Sequence, residues 1–150
     1  MLRPEFVRRK LQLIADDLAR LLQFKDETLT SLTTDAIRLA AVERLLERIV
    51  MRAIDINEHL LSELGTGEEA LSTRLTYRET FLRLAGLSVY PTEFAERIAT
   101  SAGLRNILVH DYNDVDRKIV HQSIGACLQD YTRYIDYIDR FLQSHSPTSP

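Results

Sequence analysis

Residues 35–65 read DAIRLAAVERLLERIVMRAIDINEHLLSELG. Val42, Leu45, Ile49, Ala53, Ile56 and Leu60 recur at spacings of three and four, the period of one helix face. The stretch predicts a long helix from about Asp35 to Leu64, with Gly65 as a natural stop. Some thirty residues at about 1.5 Å each give ~45 Å. Upstream, Val7, Leu11, Ile14, Leu18 and Leu21 form a second stripe, and Pro4 suits a first helical position. That helix is expected from Pro4 to about Phe24, followed by a polar stretch over 25–34.

Downstream, residues 65–75 read as a loop. Thr76 and Glu79 have the spacing of a capping box, so a short helix is expected to end at Gly86. Pro91 opens a further helix toward His110, with Gly103 inside it. Asn113 or Asp114 can cap a last helix to about Leu142. Its inner face is read as Val115, Ile119, Ile124, Leu128, Tyr131, Ile135, Ile138 and Phe141. Acid-to-base pairs four apart, such as Asp16–Arg20, Glu79–Arg83 and Asp136–Arg140, support these helices. No β-alternation and no internal repeat is present. The fold class is therefore all-α: an antiparallel four-helix bundle with one extra short helix. It is read as a single domain over 1–143, with a Ser/Pro-rich disordered tail over 144–150.

The 150 residues suffice for one domain with a real core, and 45% hydrophobic with 27% charged residues is ordinary for a soluble protein. Cys127 is the single cysteine, which excludes an internal disulfide. No apolar run approaches the ~20 residues of a membrane span, so no membrane partner and a cytoplasmic location are expected. The net charge of −3 does not advertise nucleic-acid binding. Residues 1–25 are the basic part, with six Lys/Arg against three Asp/Glu, and Arg3, Arg8, Arg9 and Lys10 either meet phosphate or form a solvated helix start.

Residues 105–112, Arg-Asn-Ile-Leu-Val-His-Asp-Tyr, hold the chemistry. On a helix, Leu104, Ile107 and Leu108 share one face, and Arg105, Asn106, Val109 and His110 the other. A valine between Arg and His suggests a covered face, by a second subunit, a ligand, or both. Histidine suits proton transfer near neutral pH, and the arginine fork suits phosphate. Asn106 can orient His110 or bond a phosphate oxygen. Arg105 and His110 lie ~140° apart around the helix and ~7.5 Å along it. That is poor geometry for one chain acting alone on one phosphate. Two chains packed on this face would bring two Arg and two His into one cleft, so a homodimer with a composite site is expected.

The octapeptide resembles the signature of the HEPN superfamily, in particular its HepT-type toxins, which carry Arg-x4-His-x-Tyr. Residues Ala53-Ile-Asp-Ile-Asn-Glu-His-Leu-Leu61 are similar to the same family's second-helix stretch. The resemblance implies a metal-independent endoribonuclease without cofactor, leaving a 2′,3′-cyclic phosphate on its RNA substrate. It implies Arg105 and His110 as catalytic, Asn106 as supporting, and Tyr112 as the residue that receives AMP from an MNT-type nucleotidyltransferase antitoxin. The alternative is a non-catalytic HEPN module that binds a nucleotide or that nucleotidyltransferase.

Other polar residues are less pointed. Asp55 and His59 are only a pair as metal ligands, so no metal site is expected. Asp55 reads either as a support for a basic group such as Arg105 or as an ordinary rim residue. His121, near Arg117 and Lys118, reads as solvated surface, with RNA contact as the lesser option. Tyr131 reads as core, and Tyr134 and Tyr137 as packing or interface residues.

Overall fold

A computed structural model describes residues 1–65, 75–109 and 114–145. The expectations for the loop over 66–74, for His110, Tyr112 and Asn113, for the side chains of Val109 and Val115, and for the tail beyond His145 lie outside the described residues. The helices are α1 (Pro4–Leu21), α2 (Leu29–Thr33), α3 (Ala36–Leu64), α4 (Tyr77–Gly86), α5 (Thr92–Ala99), α6 (Leu104–Val109) and α7 (Asp114–His145). No strand occurs among the described residues.

The helix starts follow local chemistry. Pro4 stands in the first turn of α1. Asp35 caps α3 by accepting the Ile37 and Arg38 N–H groups at 3.0 and 3.1 Å. Thr76 caps α4, accepting the Glu79 N–H at 3.2 Å, while its hydroxyl donates to the Glu79 carboxylate at 2.9 Å. The stretch over 25–34 is not plain coil. Thr28 and Ser31 form a reciprocal box, each side chain taking the other's N–H at 3.0 Å, and this starts α2.

The ends differ from expectation in instructive ways. Gly65 stops α3 in extended backbone, φ −67° and ψ 146°, not in the left-handed region. After α4 the left-handed residue is Ser88, φ 62°, not Gly86. The Ser88 N–H reaches the Ala85 carbonyl at 3.0 Å and the Val89 N–H reaches the Leu84 carbonyl at 3.1 Å. These two bonds make a Schellman end, closed by burial of Leu84 and Val89.

α1 runs antiparallel to α3: Arg3 meets His59, Lys10 meets Asp55, and Asp17 meets Arg48 and Arg52. α7 lies across α1 and α3. The fourth position of the bundle belongs to α4, packed on α3, and to α5, packed on α4 and touching α7. One apolar core joins them, including Ile14, Leu46, Ile49, Phe81, Ile98 and Ile138. On α7, Ile119, Leu128 and Ile135 are only half-buried, while Val120, Cys127 and Tyr134 are buried with Tyr131. A 32-residue helix that meets α1, α2, α3 and α5 along its length is covered over more than one stripe.

Two buried polar groups fix the packing. Asp17 is fully buried on α1. Its carboxylate accepts from Arg20 at 2.9 Å and Arg52 at 2.7 Å, and Arg48 forms an ion pair with it at 3.2 Å. A carboxylate inside a core survives only with such close positive partners. Asn57 is fully buried on α3. It accepts from the Tyr134 hydroxyl at 2.6 Å and donates to the Thr80 hydroxyl at 3.2 Å, tying α3 to both α7 and α4.

Candidate active site

The helix expected from Pro91 to His110 is broken. α5 gives way to a 3₁₀ turn over Thr100–Gly103, and α6 restarts at Leu104. Thr100 and Ser101 donate their hydroxyls to the carbonyls of Arg97 and Ile98 at 2.8 and 2.7 Å. Such bonds from side chain back to the preceding turn compete with the helix ladder. Ser101 Oγ also lies 2.6 Å from the Tyr131 hydroxyl, which anchors the turn to α7. The break sets α6 as a separate six-residue segment packed on α3.

α6 carries Arg105 and Asn106. Leu104 is buried, Ile107 and Leu108 are half-buried against the core, and Asn106 is exposed. Arg105 is half-buried, with its Cζ 5.6 Å from the ring centroid of Tyr77 at the start of α4. Cation–π contact of this kind favours a fixed guanidinium plane. The Arg105 Nε is buried and has no hydrogen-bond partner among the described residues. A buried donor left unpaired in this way is costly and needs an explanation. His110 and Tyr112 follow beyond the described end of α6.

A concave cavity of about 620 Å³ opens beside this segment. Leu75, Tyr77 and Arg78 from the α4 start form one wall, and Ala99, Thr100 and Gly103 with Asn106 form the other. Arg105 and Asn106 therefore flank Tyr77 and this cavity. Tyr77 and Arg78 had no signal in the sequence beyond their place in the Thr76–Glu79 cap.

Asp55 stands elsewhere. Its carboxylate pairs with Lys10 of α1 at 3.0 Å, so the basic group it supports is Lys10 and not Arg105. Lys10 and Arg3 both lie over the Phe6 ring, at 5.6 and 5.0 Å, and His59 packs against that ring at 5.1 Å. The Arg3 N–H donates to His59 Nε2 at 3.1 Å. Burial, then the charge of Arg3, lowers the His59 pKa, so the ring is held neutral as an acceptor. Burial, then Asp55, raises the pKa of Glu58 beside it. Among the described residues no group of three His, Cys, Asp or Glu is placed to hold a metal ion. His121 is not solvated surface: its Nε2 lies 2.6 Å from the Glu27 carbonyl and fastens α7 to the turn before α2. Tyr134 is core, and Tyr137 packs against Tyr90 and Phe94.

The family model for HepT-like proteins, described as Ribonuclease HepT-like, matches residues 14–138. The chain belongs to this family. The HepT-like chain is 36% identical over 139 residues to the tRNA nuclease HepT of Aphanizomenon flos-aquae, covering 93% of this chain and 91% of that one. It is 29% identical to the mRNA nuclease HepT of Shewanella oneidensis over 93 residues, covering 62% and 66% of the two chains. Among solved structures it is similar to a tri-AMPylated HEPN toxin of Shewanella oneidensis in complex with an MNT antitoxin. That match has a TM-score of 0.73 and 25% identity, and covers 90% of this chain and 97% of the other. In the HepT-like frame the octapeptide begins on α6, at the end of the α5–α6 arm. No described helix is long and apolar enough to cross a membrane.

Proposed function

We propose that this protein is a metal-independent endoribonuclease, the toxin of a toxin–antitoxin pair, with a composite site in a homodimer. The observation that carries the reading is Arg105: a guanidinium held over the ring of Tyr77, which lines the cavity beside α6. The planar fork of that guanidinium suits a phosphodiester, which it binds at two points. The nuclease relatives support the same class of substrate.

In the reaction the RNA 2′-oxygen attacks the adjacent phosphorus as His110 of one protomer takes its proton. The bond from phosphorus to the 5′-oxygen breaks. His110 of the other protomer protonates that leaving oxygen, and a 2′,3′-cyclic phosphate remains. Arg105 balances the charge on the pentavalent phosphate, and Asn106 orients His110 or the phosphate. Asp55 supports the scaffold and not the phosphate, by holding Lys10 across the α1–α3 seam. Tyr112 accepts AMP from an MNT-type nucleotidyltransferase antitoxin, and the added nucleotide blocks RNA by volume and charge. The AMPylated toxin in the similar complex supports this last step.

The test is RNA cleavage by the purified protein with and without EDTA. Wild-type protein should cleave in EDTA, and His110→Ala should lose roughly 10²–10⁴-fold. Intact mass after incubation with the antitoxin and ATP should show AMP on wild type and none on Tyr112→Phe. Absence of cleavage by a folded dimer would favour a non-catalytic binding module, the reading to which the net charge of −3 points.

A further inference from the structure

We infer that the cavity beside Asn106 is the subsite for the nucleobase adjoining the cleaved phosphate, with Asn106 as the residue that reads the base edge. The inference rests on the ribonuclease reading. A single-stranded RNA base presents two apolar faces and a rim of donors and acceptors. The cavity meets both needs. Its volume of about 620 Å³ falls within the ~300–1,000 Å³ of small-molecule sites. Leu75, Ala99, Ala102 and the Tyr77 ring supply apolar and aromatic wall. Asn106 is exposed and lines the cavity, and its amide offers a donor and an acceptor side by side. Arg78, exposed at the same wall, supplies positive charge for the strand's backbone.

The placement relative to Arg105 ties the cavity to the reaction. Tyr77 lines the cavity and also carries the Arg105 guanidinium at 5.6 Å from its ring centre. A phosphate on Arg105 is thus one aromatic ring from a base in the cavity. Arg105 and Asn106 are sequence neighbours about 100° apart on the helix, so phosphate and base contacts diverge from one turn. Gly103 adds room. It is exposed on the cavity wall, and a Cβ built there meets nothing within 4 Å.

Gly103→Leu fills the cavity from an open position, and Asn106→Ala removes the base-reading amide. Two measurements on the purified full chain separate the questions. The first is binding of AMP, GMP, CMP and UMP, followed by amide chemical-shift changes in Leu75–Arg78 and Ala99–Asn106. The second is kcat/KM on short RNAs that differ in the base beside the cleaved bond. Wild type should show shifts confined to these segments, and Gly103→Leu should lose them. Both variants should lower kcat/KM roughly tenfold or more, mainly through KM. Asn106→Ala should also flatten the preference among bases, which a role limited to orienting His110 would not do. Gly103→Thr replaces Gly103→Leu if the latter melts early. Wild-type binding and wild-type base preference in both variants, or no mononucleotide shifts and no change in cleavage, would overturn the subsite. Mononucleotide binding at these residues without any RNA cleavage would keep the cavity and remove the ribonuclease reading.

Discussion

Asn57→Ala is the substitution whose cost the structure specifies most fully. Asn57 is fully buried and makes two side-chain hydrogen bonds, 2.6 Å from Tyr134 and 3.2 Å to Thr80. Each neutral bond contributes about 1 kcal/mol net. Removing the amide also leaves a void of a few tens of Å³, which at ~24 cal/mol per Å³ adds roughly 0.5–1 kcal/mol. Neither partner is orphaned, and this limits the total. Tyr134 still donates to the Ala53 carbonyl at 3.1 Å, and Thr80 to the Tyr77 carbonyl at 2.7 Å. The expected loss is therefore about 2–3 kcal/mol, or roughly 5–10 °C in Tm for a domain of this size. Urea unfolding followed by circular dichroism at fixed protomer concentration measures it, with an unchanged slope confirming that only stability moved. Tyr134→Phe should cost about 1–3 kcal/mol by leaving Asn57 Oδ1 without its donor. The double variant should cost clearly less than the sum, because both changes remove the same bond. A loss below ~0.5 kcal/mol for Asn57→Ala would refute the claim that this network ties α3 to α4 and α7.

Two further outcomes are expected. Ser88→Gly should stabilise the protein by about 0.5–1 kcal/mol, because Ser88 sits at φ 62° and glycine relieves that strain at some cost in unfolded-chain entropy; equilibrium unfolding measures it, and destabilisation would contradict the Schellman end. The Cys127 thiol, pushed by burial from 9.0 up to about 12, should resist alkylation at pH 8 in the native state and react after unfolding. Because the folded thiol holds its proton more tightly than the unfolded one, its contribution is full below about pH 9 and fades from there toward pH 12, which unfolding at graded pH would detect as falling stability.

The long helices were legible because their signals are local. The apolar period of α1 and α3, Pro4, Asp35 and the Thr76–Glu79 pair each act within a turn or two of themselves. The break at Thr100–Gly103 was not legible. It depends on hydroxyls bonding backward and on a contact between Ser101 and Tyr131, thirty positions on. Nothing in the sequence marked Asp17 and Asn57 as buried, since their partners come from other helices. The same limit applied at the site. The helical wheel placed Leu104 inside and Asn106 outside, as the structure has them. It could not name Tyr77 as the partner of Arg105, because Tyr77 lies on another helix. The sequence offered Arg105 as one partner for Asp55, whereas Lys10 fills that place from α1. A wheel fixes which side of a helix a residue takes, and only packing decides what stands opposite.

The buried network and the candidate site are one construction. Asn57 on α3 donates to Thr80, Thr80 donates to the carbonyl of Tyr77, and the Tyr77 ring lies under Arg105. The position of the arginine is thus set from the core of α3 outward through the first turn of α4, and not by α6 alone. This matters because α6 has only six residues and follows a 3₁₀ turn. Helices that short have little stability of their own and take their geometry from packing. A rigid base under Arg105 suits the phosphate-binding role proposed for it, since catalytic groups act well only when their supports hold them still before substrate arrives. The second-helix stretch Ala53–Leu61 then has a physical role alongside the octapeptide. It supplies Ala53 and Asn57 as the acceptors for Tyr134, and Asn57 as the first link toward Arg105.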